Sequence, residues 1–300
     1  MAFRCLVFSS PVSLSVKNKQ LVVDSNKTVG SIPIEDIQAI LFENQHVMAS
    51  VYLLGKLVCD GITVYFCDEK HLPCAVLLPF YQHSRNTGVV RVQEGISLPL
   101  KKSLWKCIVV VKILNQAECL KLCNDISGYR YLVALAKSVK SGDSQNVEAV
   151  AANYYFKRLF GADFSRDNNN ARNSALNYGY AIMRGLIARL VTGYGFLPMK
   201  GLFHDNVYNS FNLADDLMEP FRPVVDLFVV MNVCNDDSFS SDCKHQLFNL
   251  LNVDMLFDGK LYCLSYAAEL MVRSFSHCCR DSSVDFCIPK LVSLCFHKYE

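Results

Sequence analysis

Near Leu98 the hydrophobic pattern of this chain changes period, and that change limits the architectures open to it. Before it, short β-rich runs follow one another: FRCLVFS, QLVVD, AILFEN, ITVYFCD and CAVLLPF, separated by polar or Gly/Pro/Asn-bearing breaks. One helical pattern interrupts them, VMASVYLLGKLVCDG, and Gly61 is placed to end it. The bridge DEKHLP reads as a hairpin loop. After Leu98, apolar residues recur at helical spacing in LKKSLWKCIVVVKILNQAECLKL, SGYRYLVALAKSVK, SGDSQNVEAVAANYYFKRLFG and ARNSALNYGYAIMRGLIARLVTG. The last of these has an Asn cap available in its NNN run and a stop at Gly193. KHQLFNLLN and LSYAAELMVRSFSHCC add two further helices. The expected class is α+β. A small β-rich N-terminal domain, β-sandwich-like with one helix, covers residues 1–90, and a larger all-α domain covers residues 91–300. The polar stretch QHSRNTGVVRVQEGIS is the expected boundary.

Composition narrows the class. With 51% hydrophobic and 19% charged residues, the 300-residue chain is too apolar for disorder and long enough for a sizeable core. No apolar stretch approaches the ~18 residues of a spanning helix. CLVFSSPVSLSV, interrupted by Ser and Pro, reads as strand rather than as a secretory signal. The fourteen cysteines form no C-x-x-C pair, and Cys67, His71 and Cys74 have no fourth zinc ligand nearby. The expectation is a cytoplasmic protein, without a membrane partner, whose thiols are reduced and mostly buried. A net charge of +2 hides a split. Lys101–Phe160 holds ten basic and four acidic residues, a net of +6, whereas Gly201–Lys260 holds three and ten, a net of −7. The first block suits a polyanion and the second a cation.

Several side chains could carry chemistry. On a helix, Glu148 shares a face with Ala152, Tyr155 and Leu159, so a carboxylate sits on a stripe that otherwise reads as core. It is either an ordinary first-turn glutamate or the partner of a cation. His204 lies in a loop, and Asn212 can cap a helix beginning LADDLMEPFRP. On that helix Glu219 has Asp215 at i−4 and Asp216 at i−3, an unfavourable arrangement unless the acids are solvated or bridged by a cation. A mixed carboxylate and imidazole set suits Mg²⁺ or Mn²⁺. Asn173 and Asn177, at i, i+4 on the long helix, could hydrogen-bond a substrate, orient ligands from behind, or form a satisfied amide pair. Arg91, Lys101, Lys102, Lys106 and Lys112 surround Trp105 in sequence. They suit DNA phosphates beside an aromatic for an unpaired base, or else a solvated lysine face over a core tryptophan.

The run NNNARNSALNYGYAIMRGLIARLVTGYGFLPMKGLFHDN, then NSFNLADDLMEPFRPVVD, resembles the CRISPR-associated spacer integrase family, the first Cas protein. NVEAVAANYYF and VYFCDEKHLPCAVLLPFYQH look like the same family, in the form that accompanies type II systems. The resemblance implies that Glu148, His204 and Glu219 are catalytic ligands of Mg²⁺ or Mn²⁺, with Asp216 an auxiliary acid. It also implies a homodimer built through the β-rich domain and a helical catalytic domain that binds metal and DNA. A dimer of the second Cas protein would complete a heterohexamer, alongside the effector nuclease and an end-binding ring protein. The implied substrates are double-stranded DNA with 3′-OH ends and CRISPR repeat DNA. The implied reaction is insertion of short fragments into the array by 3′-OH attack, with metal-dependent hydrolysis at the same site. A non-catalytic DNA-binding scaffold and a small-molecule metal hydrolase are the competing classes. Alanine at Glu148, His204 or Glu219 is expected to abolish integration with the fold intact. Ser210 and Ala149 depart from the family's usual proline and glycine without removing a ligand.

Overall fold

The computed structural model describes residues 3–25, 28–80, 83–234 and 239–299. Within it the chain divides into two compact units, Met1–Ser84 with Tyr299–Glu300, and Arg85–Lys298. Gln82, in the polar stretch read as the boundary, lies outside the described residues.

The first unit contains two four-stranded sheets. One orders β1 (Arg4–Phe8), β5 (Ile37–Phe42), β7 (Thr63–Cys67) and β8 (Pro73–Leu77), and the other β4 (Thr28–Pro33), β3 (Gln20–Ser25), β2 (Ser13–Lys17) and β6 (Met48–Ala49). Strand β5 lies between two parallel neighbours, which is why its sequence IQAILF is a nearly continuous apolar run with five of its six residues buried. Helix α1 (Val51–Cys59) starts where the Ser50 hydroxyl accepts from the Leu53 amide at 3.1 Å. Its Leu53 and Leu57 join Leu21, Ile37, Ile40 and Val64 in one core. The DEKHLP loop closes the antiparallel β7–β8 hairpin, with the Asp68 carboxylate accepting from the Lys70 and Leu72 amides.

The second unit is mostly helical: α2 (Asn86–Glu94), α3 (Leu98–Leu122), α4 (Ile126–Lys137), α5 (Val147–Phe160), α6 (Ala171–Gly193), α7 (Asn212–Met218), α8 (Arg222–Asn232), α9 (Ser241–Asn249) and α10 (Leu264–Asp281). Helices α3 and α6 are buried along most of their lengths and form its centre. The Asn170 side chain caps α6 by accepting from the Asn173 amide at 2.9 Å, and the helix ends at Gly193. A Cβ on Gly179 would lie 2.4 Å from Val225 Cγ1, so the small residue sets how closely α6 approaches α8.

Two expectations are corrected. The unit is not all-α, because β9 (Val253–Phe257), β10 (Lys260–Cys263) and β11 (Lys290–Phe296) form an antiparallel sheet in the order β10-β9-β11. The overlooked signal is Asp258-Gly259, whose positive φ angles of 49° and 76° make the two-residue turn between paired Phe257 and Lys260. The division after Ser84 falls inside the stretch read as the boundary, the rest of which holds helix α2. The thiols are also less buried than expected: no disulfide joins any of the fourteen, but Cys59, Cys74, Cys234, Cys287 and Cys295 are exposed. No helix among the described residues is long and apolar enough to cross a membrane.

Candidate active site

Glu148 is placed by the turn before its helix. Asp143 is buried there, and its carboxylate accepts from the Val147 and Glu148 amides, each at 2.9 Å. Those are among the unsatisfied donors of a helix N-terminus, so Asp143 fixes where α5 begins and which way its first turn faces. Tyr155 and Leu159 are buried on that helix with Val147 and Ala151, while Ala152 is half-buried. Glu148 Oε1 accepts from Lys112 Nζ of α3 at 2.6 Å.

The acids of α7 and the 3₁₀ turn Glu219–Phe221 after it are neither solvated nor bridged to one another. Each has its own partner. Asp215 takes a two-pronged contact from Arg184, at 2.6 and 2.9 Å. Asp216 is fully buried and accepts from the amides of Leu202, Phe203 and His204 at 2.6, 3.0 and 3.2 Å. Glu219 is buried, with Oε1 accepting from Arg222 Nε at 2.9 Å and Oε2 standing 2.5 Å from Lys112 Nζ. Burial pushes the Glu219 pKa up, but the Arg222 and Lys112 charges outweigh it and hold the carboxyl down at about 2. Burial likewise opposes the charge on Lys112, and Glu219 and Glu148 overcome it, so its pKa is raised. Asn212 is not the cap expected of it. It is the first helical residue, and its amide donates to the carbonyls of Met199, Asn206 and Asn209.

The loop carrying His204 wraps around Asp216. A Cβ on Gly201 would lie 2.2 Å from the His204 carbonyl oxygen and 2.8 Å from Asp216 Oδ2, so only glycine fits that wrap. The His204 imidazole meets Asp216 Oδ1 through Nδ1 at 2.6 Å. That hydrogen bond is the main cause of its raised pKa. Partial burial opposes the rise, and the charges of Asp216, Glu219 and Glu148 add to it. The histidine therefore shares the electrostatic field of both glutamates. Trp105 stacks on Phe203 with ring centres 4.5 Å apart and meets His204 edge-on at 5.8 Å. It is 1% exposed, so it is the floor of this loop and not an aromatic open to a base.

The expected DNA-facing set divides. Arg91, Lys102 and Lys106 are exposed and Lys101 is half-buried. Lys112 is a correction: it is buried between Glu148 and Glu219, away from any solvated lysine face. Sequence reasoning missed its role, although it lies on a stripe with Ile108, Val109 and Ile113, the same anomaly that singled out Glu148. Asn173 and Asn177 touch none of the glutamates; their side-chain oxygens accept from Arg166 at 2.7 and 2.5 Å. Arg166 and Arg222 are the other functional candidates the sequence reading passed over.

Among the described residues, no three His, Cys, Asp or Glu side chains gather closely enough to hold an ion, and the Lys112 ammonium stands between the two carboxylates. The donor chemistry nevertheless fits a hard divalent cation. Two carboxylates converge on one positive charge, and an imidazole held through Nδ1 by a carboxylate keeps Nε2 for a ligand.

The family model described as CRISPR associated protein Cas1 matches residues 5–247. Over the full length of both chains, the protein is 39% identical to the CRISPR-associated endonuclease Cas1 of Neisseria meningitidis serogroup C (strain 8013). Its fold is similar to that of a casposase bound to an integration product, with a TM-score of 0.73 at 19% identity, covering 94% of this chain and 92% of that one. It is also similar to a chain of a Cas6-RT-Cas1–Cas2 complex, with a TM-score of 0.71 at 17% identity, covering 95% of this chain and 36% of that one. The chain belongs to the Cas1 family of CRISPR-associated proteins.

Proposed function

We propose that this protein is a divalent-metal-dependent DNA integrase and endonuclease that joins short DNA fragments to the borders of a CRISPR repeat. One observation carries the reading: Glu148 and Glu219, from distant parts of the chain, close on a single cationic centre within the electrostatic reach of His204. The endonuclease name of the full-length relative and the integration product held by the structural neighbour support it.

Glu148, Glu219 and His204 would hold Mg²⁺ or Mn²⁺, through two carboxylates and one imidazole nitrogen. Such an ion, when bound, supplies Lewis acidity to a phosphoryl oxygen and lowers the pKa of an attacking hydroxyl. Asp216 holds His204 through Nδ1 and keeps the loop in place. Lys112 and Arg222 keep Glu219 ionised across the neutral range. In strand transfer, a fragment's 3′-hydroxyl loses its proton and forms the new P–O bond. The bond to the target strand's 3′-oxygen breaks, and that oxygen takes up a proton. Water in place of the 3′-hydroxyl gives hydrolysis. The β-rich unit is proposed as the homodimer contact and the second Cas protein as a partner, which a neighbour from a Cas1–Cas2 complex supports.

The test is strand joining by purified protein on a repeat-bearing plasmid, with short duplexes ending in 3′-OH. Joined products in Mg²⁺ or Mn²⁺ and none in EDTA are expected. Salt-sensitive DNA binding with no joining in either metal would instead favour the scaffold reading.

A further inference from the structure

Beside Glu219 lies a cavity of about 120 Å³, walled by Lys112, Gln116, Arg166, Tyr180, Arg222 and Asp226 among others. Its two acids are already engaged: Glu219 by Lys112 and Arg222, and Asp226 by the hydroxyls of Tyr155 and Tyr180. Arg222 spends its charge on Glu219, while Arg166 makes no ion pair among the described residues. Arg166 is held by neutral groups. Nη1 donates to Asn173 Oδ1 and Nη2 to Asn177 Oδ1, and the guanidinium carbon stands 5.4 Å from the centre of the Tyr180 ring. Arg222 lies against the same ring at 4.6 Å. Asn173 is itself locked, since its amide donates to the Ser165 and Asn168 carbonyls at 2.8 Å each, which turns its oxygen toward Arg166. Amide carbonyls orient a guanidinium without cancelling its charge, whereas a carboxylate would do both.

We infer that Arg166, aimed by Asn173 and Asn177, is the binding group for a DNA phosphodiester in the cavity beside Glu219. The site rests on the reading of this chain as a DNA strand-transfer enzyme and adds to it the group that seats a backbone phosphate next to the reacting one. Arg166 touches the substrate; the two asparagines are positioning residues. The Arg166 guanidinium is half-buried, open enough to reach a strand laid across the site and shielded enough for its charge to count.

The experiment measures duplex-DNA affinity against salt in EDTA for the wild type, Arg166→Gln, Arg166→Lys and Asn177→Asp. Asn177 is exposed, so its aspartate variant places a counter-charge beside Arg166 without disturbing the core, and it decides the matter if Arg166→Gln fails to fold. The expected result is a log–log salt slope smaller by about one in Arg166→Gln and Asn177→Asp, and retained in Arg166→Lys. Fragments carrying one uncharged methylphosphonate, scanned along the 3′-terminal phosphates, should lose affinity for the wild type at a position where Arg166→Gln loses none. Wild-type slopes and a wild-type methylphosphonate profile in both Arg166→Gln and Asn177→Asp overturn the inference. Absence of strand joining by the wild type, with the slopes still different, defeats the strand-transfer reading and leaves the phosphate site standing. Salt-insensitive binding by the wild type overturns both.

Discussion

Lys112 decides the electrostatics of the site at the scale of single residues. Two glutamates facing each other in a half-dry pocket repel, and the ammonium between them removes that repulsion. Lys112→Met keeps most of the stem and deletes the charge. In EDTA its melting temperature should fall by roughly 10 °C, because Glu148 and the buried Glu219 both lose the cation they share. Mn²⁺ should restore much of that loss while moving the wild type less, and differential scanning fluorimetry reads both. The same reasoning revises the expectation that alanine at each ligand leaves the fold intact. Glu148 is partly exposed, so its alanine variant should still fold. Glu219→Ala removes the buried carboxylate that Lys112 and Arg222 share and should cost about 3–5 kcal/mol of stability. Glu148 stood out as a candidate because a carboxylate interrupts an apolar stripe, while its role as a ligand came only from the family resemblance. Lys112 interrupts α3 in the same way, but a run of lysines nearby made it look like one more solvated cation.

Elements position these residues through contacts that periodicity does not reveal. Long amphipathic runs such as α3 and α6 were readable because many residues repeat one period, whereas β9 and β10 are only five and four residues long and leave little period to detect. Nor does helical spacing tell which acid of α7 and the turn after it meets which partner. Asp215, Asp216 and Glu219 go to Arg184, the His204 loop and Lys112 by tertiary packing alone. Gly179→Ala tests one such packing. The added methyl meets Val225, and the strain should cost about 1–3 kcal/mol in chemical denaturation, with Val225→Ala in the same chain recovering part of it. Asp143→Ala removes the cap that starts α5. A loss of about 1 kcal/mol is expected, together with a fall in strand-joining rate larger than the stability loss explains, since Glu148 is no longer held.

For the whole molecule, acid and base act in opposite directions at two buried carboxylates. Burial raises Asp226 from its ordinary 3.8 to about 6, against the hydrogen bonds from Tyr180 and Tyr155. A carboxyl whose folded pKa is raised contributes stability below pH ~4 that is lost as pH rises through 6. Glu219, held at about 2, contributes stability above pH ~4.5 that is lost as pH falls toward 2. Asp226→Asn should therefore gain stability relative to the wild type between pH 4 and pH 7, by up to about 3 kcal/mol, measured as paired denaturation curves across that range. The two-part architecture was legible from the change of period near Leu98, while the convergence of α3, α5 and α7 on one site depended on folding. That convergence is the central claim, and strand joining in Mn²⁺ by Glu148→Ala beside the wild type tests it most directly. Loss of joined product by at least ~10³-fold, with DNA binding retained, is the expected result. Full strand joining by the Glu148→Ala protein would contradict it.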